Sequence, residues 1–151
     1  MKLTARARSA VTALVDLAAF GAEDPVPLSD IALRQNLSVA FLEQIFGKLR
    51  RAGLVESRRG VGGGYVLAHQ ADVISVAQVV EAMEEEIRST ACQPGAGLGC
   101  RGTSAKCLTH GLWAELDEKI DSFLSGVTLG DVAKGAKMSV TSQDEKAVAN
   151  A

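Results

Sequence analysis

The sequence has no long hydrophobic run. None of the apolar stretches in its 151 residues approaches the roughly 18 to 20 residues that a helix needs to cross a bilayer. Its first residues also lack the apolar segment and the cleavage site of a secretory signal. We therefore expect a cytoplasmic protein that has no membrane partner.

Cysteine is also scarce. The chain has three cysteines, and an odd number does not fit a framework of disulfides. In the expected cytoplasmic compartment the thiols stay reduced. The paired C-x2-C spacings that are usual in zinc ribbons are missing as well. The cysteines must therefore be explained in another way than as structural disulfides or a zinc ribbon.

A glycine-rich stretch at residues 59–64 lacks the pattern of a phosphate-binding loop. It reads RGVGGG, without the lysine and hydroxyl residue that such a loop requires, and no helix follows it directly. A glycine-rich turn between two strand-like segments is instead typical of a β-hairpin. We therefore interpret the glycines as turn residues and expect no nucleotide site.

What the sequence does have is a concentrated set of metal-ligand residues. All three cysteines and one histidine fall in the pattern C-x7-C-x6-C-x2-H, formed by Cys92, Cys100, Cys107 and His110. The residues between them are mostly small or polar and cannot build a core. Soft thiolates with imidazole suit zinc or an iron–sulfur cluster. The spacing predicts a metal site and leaves both possibilities open.

The same residues are also compatible with an enzyme. Cys107 and His110 are close enough in sequence for a thiol nucleophile and its base. No third group that would orient the base is visible, and no substrate pocket is apparent. We therefore expect a protein that is not an enzyme and has no small-molecule substrate.

The first half of the chain has the pattern of a winged helix. Apolar residues at helical spacing predict helices over residues 8–20, 30–35 and 39–52, and Ser29 and Ser38 are plausible caps. A short helix, a turn of about three residues and a longer helix form a helix-turn-helix. Strand-like segments at residues 54–58 and 65–67 would form the wing. The predicted fold is mainly α-helical with one small β-hairpin.

Charge and exposed polarity point to nucleic acid as the partner of this half. Residues 1–70 carry nine basic and six acidic residues, whereas residues 71–151 carry seven and twelve. A net positive first half suggests a nucleic-acid face. The outer face of the third helix would present Ala40, Glu43, Gln44, Lys48 and Arg51. The hairpin would add two more cations at its tip, Arg58 and Arg59.

The second half, residues 71–135, is predicted to hold a helix, the cysteine loop and a long helix. The first of these would span residues 71–88, with Ser75 as its cap and the three glutamates at 84–86 on a solvated face. The long helix would span residues 108–125. Apolar residues line one side of the long helix: Leu112, Leu116, Ile120, Phe123 and Leu124, with Trp113 beside them. Since the first half can close its own core, this stripe predicts a homodimer interface. A short helix over residues 129–136 and a flexible tail over residues 136–151 complete the prediction.

Three stretches together resemble the IscR-type iron–sulfur cluster regulators of bacteria. They are RSAVTALVDLA, then FLEQIFGKLRRAGLVESRRGVGGGY, then CLTHGLWAELDEKIDSFLSGVTLGDV after the cysteine loop. The resemblance covers about residues 1–135. It is specific because the wing motif and the loop of three cysteines and a histidine occur together and in the right order.

The resemblance implies a homodimeric transcription factor that binds a double-stranded DNA operator. It implies that Cys92, Cys100, Cys107 and His110 hold a 2Fe-2S cluster. The regulated genes would serve iron–sulfur cluster assembly or iron homeostasis, through repression or activation. A structural zinc site or a nitric-oxide-sensing cluster of another type is the alternative. The loop is longer here than in the enterobacterial type, which concerns cluster geometry more than ligand identity.

The same resemblance implies how DNA is contacted. Glu43 and Gln44 on the recognition helix and Arg59 on the wing are the DNA-facing positions. Position 40 is Ala where the family often has Ser, so one hydroxyl contact is absent. The remaining basic residues are expected at phosphates, which position the protein without reading sequence. These residues are Arg6, Arg8, Lys48, Arg51 and Arg58.

Overall fold

The computed structural model describes residues 3–21, 23–89 and 107–135. The elements in chain order are α1 Ala5–Phe20, α2 Leu28–Gln35, α3 Val39–Arg51, β1 Val55–Arg58, β2 Gly64–Leu67, a short 3-10 helix Ala71–Val73, α4 Val76–Ala82 and α5 His110–Gly126. Residues 129–135 are helical as well. The predicted mainly helical fold with one hairpin is confirmed. The predicted tail over residues 136–151 lies outside the described residues.

Local side-chain caps explain where the first helices begin. The Thr4 hydroxyl accepts a hydrogen bond from the Ala7 backbone N–H, so α1 starts at Ala5 and not at residue 8 as predicted. Ser38 caps α3 in the same way through the Phe41 N–H, as predicted. The prediction that Ser29 caps α2 is wrong. Pro27 precedes the first turn instead, because its fixed φ leads the chain into the helix without a side-chain bond.

The turn of the helix-turn-helix begins with a residue in the left-handed backbone conformation. Asn36 ends α2 with φ 52°, a conformation that asparagine tolerates better than most residues. The chain then turns into Ser38, and α3 lies against α2 and α1. The apolar stripe predicted for α3 is confirmed, since Leu42, Ile45 and Phe46 are fully buried, as is Leu49. Burial of that stripe fixes which face of α3 points outward.

The hairpin is tied to the body of the protein through its second strand. β1 and β2 pair antiparallel with Val55 opposite Leu67 and Arg58 opposite Gly64. Tyr65 exchanges two backbone hydrogen bonds with Val26, at 2.9 and 3.0 Å, and its ring lies against Phe46. A side chain at position 64 would place its Cβ 2.3 Å from the Val26 carbonyl, so the close approach requires glycine there.

The helix predicted over residues 71–88 is shorter at both ends, although its predicted cap at Ser75 is confirmed. A 3-10 turn occupies Ala71–Val73, and α4 begins only after Ser75, whose side chain forms a reciprocal capping box with Gln78. The helix stops at Ala82, and Glu84 has φ 59°. A left-handed non-glycine residue cannot continue an α-helix, so the three consecutive glutamates do not form one helical face.

The chain after α5 returns to the core, which the sequence pattern did not predict. Backbone hydrogen bonds join Val76 N–H to the Val127 carbonyl and Leu129 N–H to the Ile74 carbonyl, both at 2.9 Å. Leu129 is fully buried in the same core as α1, α3 and α4. By contrast, α5 itself buries no residue in the single chain. Among the described residues, no helix is long and apolar enough to span a membrane.

Candidate nucleic-acid interface and metal centre

The outward face of α3 is the first part of the candidate site. Ala40, Glu43 and Gln44 are exposed, on the side of the helix opposite Leu42 and Ile45. The core packing of α3 therefore leaves these three side chains, two of them polar, accessible to a large partner. The exposure expected from the sequence is confirmed for all three residues.

An ion pair between a buried carboxylate on α1 and a partly exposed arginine on α2 holds the two helices together, and sequence reasoning missed it. The Asp16 carboxylate is 2% exposed and accepts two hydrogen bonds from Arg34, at 2.7 and 2.9 Å. Gln35 Nε2 donates a third, at 2.7 Å. The bond to Asp16 is the main cause that raises the pKa of Arg34 above its ordinary value. A single carboxylate between buried positions of an amphipathic helix was the signal in the sequence.

The expected cations of the interface are mostly exposed. Arg6, Arg8, Arg51, Arg58 and Arg59 all present exposed side chains. Two of them also make local contacts, because Arg51 Nε donates to the Gly47 carbonyl at 3.2 Å and Arg58 lies 3.4 Å from the Glu56 carboxylate. Such exposed local contacts are weak and do not prevent a phosphate from binding.

Lys48 differs from the other cations because it has an acidic partner outside α3. Its Nζ lies 2.5 Å from Glu84 Oε2, and its side chain is 23% exposed whereas that of Glu84 is 80% exposed. The hydrogen bond from Lys48, followed by its charge, lowers the pKa of Glu84 below its usual value, with smaller contributions from Arg51 and Arg6. Sequence reasoning placed Glu84 on a solvated helical face and missed this contact.

The candidate metal centre lies at the start of α5. Cys107 is half-buried, and its Sγ lies 3.8 Å from the Thr109 hydroxyl. The backbone N–H of His110 donates to the Cys107 carbonyl at 3.1 Å, so both predicted ligands share one turn. Trp113 Nε1 donates to Thr109 Oγ1 at 3.1 Å, which packs the indole against this turn. Two of the four predicted ligands are thus brought together.

The segment that leads into the cysteine loop is anchored on the same helix. The Ser89 backbone N–H donates to Asp117 Oδ1 at 2.6 Å, and the Ser89 hydroxyl lies 2.6 Å from that oxygen and 3.0 Å from the Trp113 carbonyl. The hydrogen bond from the Ser89 side chain is the main cause that lowers the pKa of Asp117. Both ends of the loop are therefore held on α5.

Cys92 and Cys100, the other two predicted ligands, lie outside the described residues. Within residues 3–21, 23–89 and 107–135, no group of three or more histidine, cysteine or carboxylate side chains is placed to hold a metal ion. The chemistry of the full donor set still fits an iron–sulfur cluster, because three thiolates and one imidazole are soft ligands within one short segment.

The apolar side chains of α5 divide into two groups. Leu112 and Phe123 are 60% and 68% exposed, and Trp113 is also exposed. Leu116, Ile120 and Leu124 are half-buried, and Leu124 packs against the core. The helix thus packs loosely against α4 and leaves its first turns and Phe123 uncovered, as an interface helix would in an isolated chain.

A family model described as iron-dependent transcriptional regulators, Rrf2, matches residues 3–135 of this chain. Among curated proteins, the chain is 49% identical over 132 residues to the HTH-type transcriptional regulator IscR of Aliivibrio salmonicida, which covers 87% of this chain and 77% of that protein. It is 46% identical over 138 residues to IscR of Klebsiella pneumoniae, with 91% and 83% covered.

Solved structures show the same fold. The cysteine regulator CymR of B. subtilis is similar with a TM-score of 0.76 and 30% identity, covering 89% of this chain and 97% of that one. The IscR of T. potens is similar with a TM-score of 0.73 and 33% identity, covering 90% and 88%. The agreement extends over most of each chain, so the overall fold is shared.

Proposed function

The chain belongs to the Rrf2 family of transcriptional regulators, and we propose that it binds operator DNA as a homodimer and responds to the state of a 2Fe-2S cluster. The observation that carries this proposal is the position of α5. His110 is the first residue of this helix and Cys107 lies in the turn before it, so two of the proposed cluster ligands lie at its N-terminal end. The same helix exposes Leu112, Trp113 and Phe123 of the proposed dimer contacts.

In the proposed complex, α3 enters the major groove and reads base edges. An α-helix fits that groove, where each base pair presents its own pattern of donors and acceptors. Gln44 can pair with adenine through N6 and N7. The Glu43 carboxylate can accept from cytosine N4, and it is repelled by phosphate and by the acceptor atoms of guanine and thymine. Glu43 would therefore act mainly by weakening the binding of sequences that place guanine or thymine acceptors beside it, and it would add little affinity for the preferred sequence.

The basic residues around α3 would contact the backbone. Arg6 and Arg8 begin α1, Arg51 ends α3, and Arg58 and Arg59 lead into the turn of the wing, so the cations lie at the ends of the elements that bear the site. Contacts to phosphate fix the register of the protein without reading sequence. Replacement of any one of them should weaken binding to all sequences alike.

The dimer would form through α5. Leu112, Trp113 and Phe123 are large apolar side chains left exposed in the single chain, and a second copy of the same helix would cover them. Symmetric association through one shared patch is the commonest arrangement of soluble oligomers. Two copies of α3 would then face half-sites about 34–36 Å apart, one helical turn of DNA.

The cluster would be held by Cys92, Cys100, Cys107 and His110. His110 and Asp117 are separated by seven residues of α5, or about 10 Å along the helix axis. Three residues lead from Ser89, which is held at Asp117, to Cys92, and an extended chain of that length reaches about 10 Å. Cys92 can therefore reach the first turn of α5. When bound, the cluster would supply a centre whose presence depends on cellular iron–sulfur supply.

The protein's own residues would convert the presence or absence of the cluster into a change of affinity for DNA. A rearrangement around Cys107 and His110 acts on the N-terminal end of the helix that joins the two subunits. A rotation of α5 changes the distance between the two recognition helices. Binding to half-sites one turn apart is sensitive to such a change.

A test of the cluster is the visible absorption spectrum of protein purified without oxygen, with iron, sulfide and zinc assayed on the same sample. The proposal predicts a red-brown protein with about two iron and two sulfide per chain. A matched Cys107→Ser variant should be colourless. Wild-type protein that is colourless and holds about one zinc per chain would make the loop a structural zinc site and overturn the sensing function.

A further inference from the structure

Glu84 has an unusual backbone conformation at the end of α4. Its φ of 59° is in the left-handed region, which residues other than glycine and asparagine rarely adopt. The backbone N–H of Glu84 donates to the Glu81 carbonyl at 2.8 Å, which closes the turn. This conformation turns the Glu84 carboxylate away from α4 and toward α3.

The carboxylate points at the cations of the proposed DNA interface. Its Oε2 lies 2.5 Å from Lys48 Nζ on α3, and Arg51 and Arg6 are close enough to contribute to the lowered pKa of Glu84. A glutamate carboxylate is ionised at neutral pH, and the lowered pKa of Glu84 favours the ionised form further. One negative charge thus lies within a group of three cations that are expected to contact phosphates.

We propose that Glu84 competes with an operator phosphate for Lys48 and so lowers the affinity of the protein for DNA. This inference rests on the proposed function, because it requires that α3 faces DNA. An approaching phosphate must either replace the Glu84 carboxylate at Lys48 or share the lysine with it. Each phosphate that a protein neutralises makes the slope of log K against the logarithm of the salt concentration more negative by about 0.9. Glu84 therefore removes up to one such contact from the complex.

The test is a set of DNA-binding curves at several salt concentrations, measured by fluorescence anisotropy on one duplex. Glu84→Gln should bind about two- to fivefold more tightly at low salt, which is the range that an exposed ion pair can contribute. Its salt dependence should be steeper by about one phosphate contact. Glu86→Gln is the matched control, since Glu86 is paired with Arg88, and its affinity should equal that of the wild type.

A double variant tests whether Lys48 is the cation for which Glu84 and the phosphate compete. In the Lys48→Gln background, which itself should bind more weakly than the wild type, Glu84→Gln should bring no gain. Glu84→Gly tests whether the effect comes from the charge and not from the backbone conformation. Glycine adopts the left-handed conformation without strain and removes the same charge. It should show the same gain as Glu84→Gln. Thermal melting of every variant confirms that each one is folded.

Two results would overturn the inference. The first is a Glu84→Gln affinity equal to or below that of the wild type, which would mean that Glu84 positions Lys48 productively. The second is a gain that persists without Lys48. A wild-type protein that shows no salt-dependent binding to any duplex would instead overturn the proposed function, and the inference with it.

Discussion

Helices α3 and α5 have the same kind of amphipathic pattern and very different surroundings. In α3 the apolar stripe of Leu42, Ile45, Phe46 and Leu49 is fully buried inside the chain. In α5, of similar length, no residue is buried. The comparison teaches that an apolar stripe predicts a partner surface but not which molecule supplies it. For α3 the partner is α1 and α2, and for α5 we propose a second copy of the chain.

The strongest way to sharpen this comparison is to remove one aromatic ring from each helix. Phe46→Ala should lower the free energy of unfolding by about 3–5 kcal/mol, because the ring is fully buried and a cavity remains. The counterpart Phe123→Ala should change the stability of the dissociated chain by less than about 0.5 kcal/mol. Denaturant unfolding at low and high protein concentration separates the two effects. Equal losses at low concentration would contradict the comparison.

A second variant tests the α5 interface itself. Leu112→Lys combined with Phe123→Lys places two charges on the exposed apolar face, which should weaken dimerisation at least 100-fold, or about 3 kcal/mol. Sedimentation equilibrium measures the change. Val61→Lys is a suitable control, because Val61 is an exposed apolar residue at the wing tip. A double variant that remains as dimeric as this control would rule out α5 as the interface.

A third variant concerns the ion pair that positions the helix-turn-helix. Asp16→Ala leaves Arg34 without its carboxylate partner, and we expect a loss of about 2–3 kcal/mol in the free energy of unfolding. The estimate is below the usual range for a broken buried pair because Arg34 is partly exposed. Chemical denaturation measures it. A loss no larger than that of an exposed pair, below about 1 kcal/mol, would show that apolar packing alone holds α2.

The smallest expected effect compares two serines that the sequence makes look alike. Ser75→Ala should cost about 1 kcal/mol in stability, because Ser75 caps α4 through a capping box. Ser29→Ala should be close to neutral, since Ser29 lies inside α2 and makes no cap. Thermal melting at one pH compares the two directly. A larger loss at Ser29 than at Ser75 would mean that the caps are assigned wrongly.

Periodicity in the sequence was enough to predict the body of the protein and the outer face of α3. The stripe of α3, the cap at Ser38, the turn of three residues between α2 and α3 and the hairpin are all confirmed. These features are local, so neighbouring residues determine them. The side-chain contacts of Asp16 and Glu84 could not be predicted in the same way. Each joins residues 18 or 36 positions apart, which only the packing of the helices brings together.

The candidate metal centre shows the same limit. The pattern C-x7-C-x6-C-x2-H predicts the donor residues, and the structure adds that Cys107 lies in the turn that leads into α5, of which His110 is the first residue. It also adds the anchor of Ser89 on Asp117, which no motif contains. The assignment of Cys92, Cys100, Cys107 and His110 as ligands stays a prediction.

The most direct test of the central claim is operator binding by cluster-loaded and cluster-free protein. Duplexes selected from a random pool by each form are measured by fluorescence anisotropy at several salt concentrations. We expect the two forms to differ in Kd at least tenfold on one or more duplexes, or about 1.4 kcal/mol, and both to weaken as salt rises. Equal Kd values for the two forms on every duplex would contradict the claim that the cluster controls DNA binding.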